Sequence, residues 1–221
     1  MEITTRQQDA MRKHLELVIE ANKIINLTRV DTFESGLVLH IEDSLAGLPE
    51  FQKAPDGLYA DLGTGGGFPG ITLSIATGRK TLLVDSVAKK MKTLDSIIKE
   101  LELSDQITTY GGRIEELSLE QPSAFSVLTA RALTALPSLI ELASPLLCDK
   151  GQLICYKSTQ YEEELEHALS IQDKVGMKHV VTRVFNLSDG TPRSIIVFEK
   201  SGEPQVKLPR RPGMAQKRPY K

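Results

Sequence analysis

Five glycines fall within ten residues in "DLGTGGGFPG", positions 61 to 70. Glycine lets backbone approach a ligand closely because it carries no Cβ. A following helix offers unpaired N–H groups and the positive end of its dipole. An acid, Asp85, closes the next apolar run, "LLVDS". Beyond the run after that, "GGRIEEL" places Ile114 and Glu115 at the start of a short helical stretch. Three ligand classes use such a loop: nucleoside triphosphates, dinucleotides and S-adenosylmethionine.

The loop comes close to the phosphate-binding pattern, with Gly65, Gly70 and Thr72 at the required spacing. The lysine that would reach the β- and γ-phosphates is replaced by Ile71. An apolar side chain cannot neutralise a triphosphate, which argues against nucleotide hydrolysis. Gly65-x-Gly67-x-x-Gly70 also fits a dinucleotide fingerprint, with Asp85 downstream. A nicotinamide-dependent (NAD(P)) oxidoreductase is therefore an alternative, although no Tyr-x-x-x-Lys relay accompanies the loop. The third reading explains more. Asp61-x-Gly63-x-Gly65-x-Gly67 starts the loop at the strand end, beneath a compact ligand. Asp85 is placed to accept ribose hydroxyls, and Ile114 with Glu115 to flank an adenine. The three features sit at successive strand ends, on the side where open α/β sheets bind ligands.

The elements that must hold these residues can be read from periodicity. Apolar positions Met11, Leu15, Val18, Ile19 and Ile25 predict a helix from about 5 to 25. A second helix is expected from Asp31, with Asp31 and Glu34 as a capping box. From residue 58 short apolar runs alternate with helical stretches, which predicts a mostly parallel sheet covered on both faces. The last two runs, "MKHVVTRVF" and "RSIIVFEK", are joined by a loop too short for a crossover helix and should form a hairpin. The fold class expected is α/β and Rossmann-like: a mostly parallel seven-stranded sheet with a C-terminal antiparallel hairpin and an N-terminal helical lead-in. Residues 1–206 should form one domain, with 1–52 packed on a 58–200 core.

The 221 residues are 40% hydrophobic and 25% charged, ordinary for a globular chain. No run is long enough to span a membrane, and the charged N-terminus does not read as a signal peptide. Cys148 and Cys155 have no His or Cys partner nearby, so no metal site or disulfide framework is expected. A cytoplasmic protein is expected. The net charge of −2 hides an asymmetry: the last fifteen residues carry six Lys or Arg and no acid, against 21 basic and 29 acidic residues before them. Such a tail is either a flexible, solvated terminus or a polyanion-binding arm. Its three prolines argue against regular structure from 207 to 221.

Taken together, "NLTRV" (26–30), "HIEDSL" (40–45), "DLGTGGGFPG", "LLVDSVAKK" (82–90), "GGRIEEL" (111–117), "TARAL" (129–133), "YKS" (156–158) and "LPRRPGMAQKRPY" (208–220) resemble the ribosomal RNA small-subunit methyltransferase G proteins, also called glucose-inhibited division protein B. The resemblance implies a class I S-adenosylmethionine-dependent methyltransferase that modifies guanine N7 in a conserved loop of 16S rRNA. By it, Gly63, Phe68, Ile114, Glu115 and Arg131 fall on cofactor-contacting positions, beside Gly65, Gly67 and Asp85. Small departures are Gly66, Ser158 and Leu133, where Ala or Pro, Gly and Phe are usual.

N7 alkylation needs no general base, so no catalytic triad is expected. Arg131 is the candidate for orienting cofactor or guanine. His40 and Asp43 share a helix face; they either lock the lead-in to the core or touch RNA. Lys157, Arg210, Arg211, Lys217 and Arg218 are candidate phosphate contacts on 16S rRNA, naked or within the small subunit. The target base should be in a loop or splayed out, since side chains cannot read the deep groove of A-form helix. A monomer is expected. A non-catalytic RNA-binding assembly factor with a vestigial pocket stands as a further alternative.

Overall fold

The computed structural model describes residues 3–221. Helix α1 (Thr5–Asn22) opens with a reciprocal cap: the Thr4 hydroxyl accepts from Gln7 N–H, and the Gln7 side chain accepts from Thr4 N–H. Gln7 also donates to the carbonyls of Ile75 and Ala76, tying the start of α1 to the end of a core helix. The lead-in continues through α2 (Phe33–Gly36), a π-helical turn (Leu37–Glu42), α3 (Asp43–Leu45) and α4 (Leu48–Phe51). The second helix is capped one residue later than expected. Thr32, not Asp31, accepts from Ser35 N–H, and Glu34 takes no part.

The core then alternates β1 (Leu58–Leu62), α5 (Gly70–Thr77), β2 (Thr81–Val84), α6 (Ala88–Glu100), β3 (Ile107–Tyr110), α7 (Ile114–Glu120), β4 (Phe125–Arg131), α8 (Leu136–Ala143), β5 (Leu147–Lys157), α9 (Glu162–Ile171), β6 (Met177–Asn186) and β7 (Pro192–Lys200). The seven strands lie in the order β3-β2-β1-β4-β5-β7-β6. All pairings are parallel except those of β7, which runs antiparallel to both β5 and β6. The expected sheet, hairpin included, is thus the one observed.

Burial follows from this layering. The central strands β1 and β4 are buried almost throughout because helices cover both faces. One core joins Met11, Leu15 and Val18 of α1 to α5, α6 and one face of the sheet. The other joins α7, α8 and α9 to the opposite face and includes Leu208, Ala215 and Tyr220. The lead-in is clamped across the sheet to the hairpin: Arg183 forms a two-pronged pair with Glu50, and Glu42 accepts from Ser188 N–H and Oγ–H.

The C-terminal segment departs from expectation. It is docked rather than flexible, with a helical turn, α10 (Met214–Lys217), inside it. Arg210 grips the buried Glu141 carboxylate with both prongs, at 2.7 and 2.6 Å. Ala215 is buried, and its carbonyl accepts from Ser138 Oγ–H. Two of the segment's prolines flank these contacts instead of preventing them: Pro209 and Pro212 bracket Arg210 and Arg211, and α10 begins only after Gly213.

Candidate active site

The sheet order changes direction between β1 and β4, the place where open α/β sheets form a ligand crevice at their carboxyl ends. A cleft of about 1060 Å³ opens there, lined by the glycine loop, Asp85, the start of α7, Arg131 and part of the lead-in.

The loop is fixed from below. Asp61, fully buried, accepts from Thr64 Oγ–H at 2.6 Å, Gly70 N–H at 3.0 Å and Thr129 Oγ–H at 2.6 Å. Thr129 in turn accepts from the Tyr59 hydroxyl at 2.7 Å. Burial pushes the Asp61 carboxyl up to about 6 despite these donors. From above, the N–H groups of Gly63 and Thr64 donate to Val84 O, holding the loop against β2. Gly63 is required by its backbone, and a side chain there would also press on Leu133. Its φ is +71°, and a Cβ would stand 2.6 Å from a Leu133 methyl. Gly65 is also left-handed and faces open space, with only Leu27 O near the position a Cβ would take. The glycines at 63, 65 and 66, with the Thr64 side chain turned down to Asp61, therefore present a wall of backbone to the cleft. Asp85 reaches that wall, accepting from Gly65 N–H at 3.3 Å and Val87 N–H at 2.9 Å, with Lys90 3.9 Å away. It faces the cleft with acceptor capacity to spare.

Phe68 lines the cleft, whereas Gly67, expected there too, does not and packs against Ile71 and His14 beneath it. The Phe68 ring is packed between His14 (centroids 4.3 Å apart) and His40 (4.4 Å, stacked). His14 donates from Nε2 to Gly66 O, and its Nδ1 has no partner among the described residues. Burial lowers its pKa to about 4. His40 accepts from Arg131 at Nδ1 and donates from Nε2 to Thr28 Oγ1, which assigns the neutral Nε2–H tautomer. Its pKa is lowered to about 3, by burial first and then by the Arg131 and His14 charges.

Arg131 closes the group. Nη1 donates to Leu39 O and Asp43 Oδ2, both at 3.0 Å, while Nη2 donates to His40. The other Asp43 oxygen accepts from Arg193 Nε at 3.2 Å. His40 and Asp43 thus do lock the lead-in to the core, through Arg131 instead of through each other. The π-helical turn carries His40 and ends just before Asp43, and such geometry is frequent at functional sites.

Several expected contacts are corrected here. His40 is buried and both ring nitrogens are engaged, so it is not an RNA contact. Lys157 is committed to Thr134 O and Glu164, and Arg210 to Glu141. Arg211, Lys217 and Arg218 are exposed. Ile114 and Glu115 both line the cleft, and the Glu115 carboxylate also accepts from Gly213 N–H at 2.7 Å, in the C-terminal segment. Sequence reasoning missed Thr28, Asp61's network, Arg193 and Gln216, all tied to the cleft. Among the described residues no cluster of His, Cys, Asp or Glu could hold a metal ion.

Sheet order, crevice and glycine wall together define a Rossmann-like class I methyltransferase fold. Solved structures agree on the fold. The O-methyltransferase from Bacillus cereus in complex with SAH superposes with a TM-score of 0.60 at 16% identity, covering 85% of this chain and 90% of that one. A precorrin-6y C5,15-methyltransferase from Geobacter metallireducens gives 0.54 at 15% identity, covering 74% and 90%. The family model described as rRNA small subunit methyltransferase G matches residues 7–191. Relatives of that name are 33% identical in Fervidobacterium nodosum (96% of this chain, 98% of the relative) and 33% identical in Streptococcus sanguinis (99% and 94%). The chain belongs to the rRNA small subunit methyltransferase G family, which is S-adenosylmethionine-dependent. The nicotinamide reading is not favoured.

Proposed function

We propose that the protein transfers a methyl group from S-adenosylmethionine to N7 of a guanine in a loop of 16S rRNA. The bound donor would supply a sulfonium-activated methyl group. The residues present fit it. Glycine backbone at 63, 65 and 66 leaves room beside the methionine part, Asp85 is available to the ribose hydroxyls, and Ile114 offers an apolar edge to adenine.

The observation that carries the reading is the state of Arg131. Its partners use three of the five guanidinium N–H groups, and Nε and one Nη2 hydrogen remain beside the cleft. Guanine presents only acceptors, O6 and N7, on its major-groove edge. A donor pair held rigidly by Leu39, Asp43 and His40 suits O6 and so aims N7 toward the donor. N7 bears a lone pair and no proton, so Arg131 has nothing to abstract and its role is orientation. Such positioning can contribute about 7–11 kcal/mol. Arg211, Lys217 and Arg218 supply exposed positive charge for phosphates.

The test is tritium transfer from labelled S-adenosylmethionine to 16S rRNA, both naked and in small subunits, followed by mapping of the modified base. Label at a guanine with N7 chemistry, cleavable after borohydride and aniline, is expected. RNA that is bound but never labelled would favour the assembly-factor reading instead.

A further inference from the structure

The C-terminal segment and the donor cleft share a residue. Glu115 is the second residue of α7, and it lines the cleft together with Ile114, the first. Its carboxylate is 5% exposed as a residue and is spent on Gly213 N–H, just before α10. Gln216 of α10 itself lines the cleft. The next residues, Lys217 and Arg218, are exposed. The segment is anchored at its other end by Arg210 on Glu141, with Tyr220 packed over the Arg210 guanidinium at 4.1 Å. One wall of the cleft is therefore made by the same short turn that carries the basic residues.

We propose that Glu115 is a positioning residue that couples the two ligands: donor binding steadies the docked C-terminal arm through the Glu115–Gly213 bond, and the steadied arm presents Lys217 and Arg218 to RNA phosphates. This rests on the reading of the arm as an RNA contact. Filling the cleft packs against Ile114 and Gln216 at once, which restrains α7 and α10 relative to each other. Coupling between sites is reciprocal, so RNA on the arm must tighten the donor by the same factor. The arm is already docked without a ligand, by Arg210 on Glu141, Ser138 on Ala215 O and His167 on Tyr220 O, so a bound donor acts on its local opening and not on whether it docks.

The experiment uses the full-length chain. Amide exchange of 208–220 is measured with and without S-adenosylhomocysteine, and 16S rRNA affinity is measured in the same two states. Exchange in the arm should slow, and rRNA affinity should rise, by about fivefold or more. Glu115→Ala should abolish both responses. Glu115→Gln keeps an acceptor for Gly213 N–H and should restore them. Unchanged arm exchange in the unsubstituted chain, or full coupling retained in Glu115→Ala, overturns the proposal. The underlying reading has its own readout. If Lys217→Ala/Arg218→Ala binds rRNA as the unsubstituted chain does, the arm is not an RNA contact and both readings fall.

Discussion

Arg131 Nη1 and Asp43 Oδ2 lie 3.0 Å apart across 88 positions of sequence, with the Asp43 side chain only 4% exposed. Asp43 also receives Arg193, so one buried carboxylate is shared between two guanidinium groups. Removing it leaves both cations unpaired at the cleft. Asp43→Ala is expected to lower unfolding free energy by about 3–5 kcal/mol, measured by urea unfolding. A loss under 1 kcal/mol would mean that the lead-in is held by its apolar contacts alone.

Removing Arg131 should be milder for folding and harsher for transfer. In Arg131→Ala, Asp43 keeps Arg193, so the chain stays folded. The guanine loses its aimed donors, and misplacement of the reacting atom on the scale of an ångström can cost about 100-fold in rate. A loss of that order in single-turnover methylation is expected. Lysine carries one nitrogen and cannot serve Leu39 O, Asp43 and His40 together with a ligand, so Arg131→Lys should be nearly as slow. Wild-type turnover in Arg131→Ala would remove the orienting role.

The two buried imidazoles and Asp61 set the acid dependence of stability. His14 and His40 are lowered to about 4 and about 3, and Asp61 is raised to about 6. Between pH 4 and 6 the unfolded chain therefore binds protons on both imidazoles and none on the aspartate. The folded chain binds one, on Asp61. The unfolded state holds the excess proton, so stability rises with pH, by about 1.4 kcal/mol per unit from these three groups. The contribution of the imidazoles is complete above pH 6.5 and is lost as pH falls toward 4. His40→Gln removes one unfolded-state proton and should flatten the rise. Asp61→Asn removes the opposing folded-state proton and should steepen it to about twice the slope. Urea midpoints collected from pH 4 to 7 give both comparisons.

The sheet and its order of elements were legible because the signals are local. Each strand reads as a short apolar run and each helix as a 3.6-residue stripe, and the interval between "MKHVVTRVF" and "RSIIVFEK" could hold only a turn. The glycine wall and Asp85 were legible for the same reason. The pairings that decide which cations are free were not. Arg210 meets Glu141 across 69 residues and Arg131 meets Asp43 across 88, and no spacing rule reaches so far. One signal was available and unused. His14 sits between Met11, Leu15 and Val18 on the apolar stripe of α1, which marks it as a buried imidazole.

The glycine wall can be tested at residue 63. An alanine there meets two separable penalties. One is the left-handed backbone, about 1–2 kcal/mol; the other is the approach of its Cβ to Leu133. Gly63→Ala should weaken S-adenosylhomocysteine binding in calorimetry and lower stability. Leu133→Ala in the same chain relieves the contact but not the φ, so it should restore part of the loss and not all of it. Additive effects of the two substitutions would show that Leu133 does not press on the loop.

Salt dependence separates the free cations from the engaged ones. For a single-stranded target each neutralised phosphate contributes about 0.7 to the slope of log K against log salt. Arg211, Lys217 and Arg218 are exposed, whereas Arg210 is held by Glu141. Lys217→Ala and Arg218→Ala should each reduce the slope by about 0.7. Lys157→Ala should leave it unchanged, because Lys157 is bound to Glu164 and Thr134 O. Deleting 207–221 should flatten it by the sum of the exposed contributions and also uncover the apolar surface under Leu208, Ala215 and Tyr220, so its melting temperature must be recorded beside its affinity. A slope unmoved by the two single substitutions, in chains that melt normally, would take the arm out of the RNA interface and leave phosphate binding to the cations around the cleft.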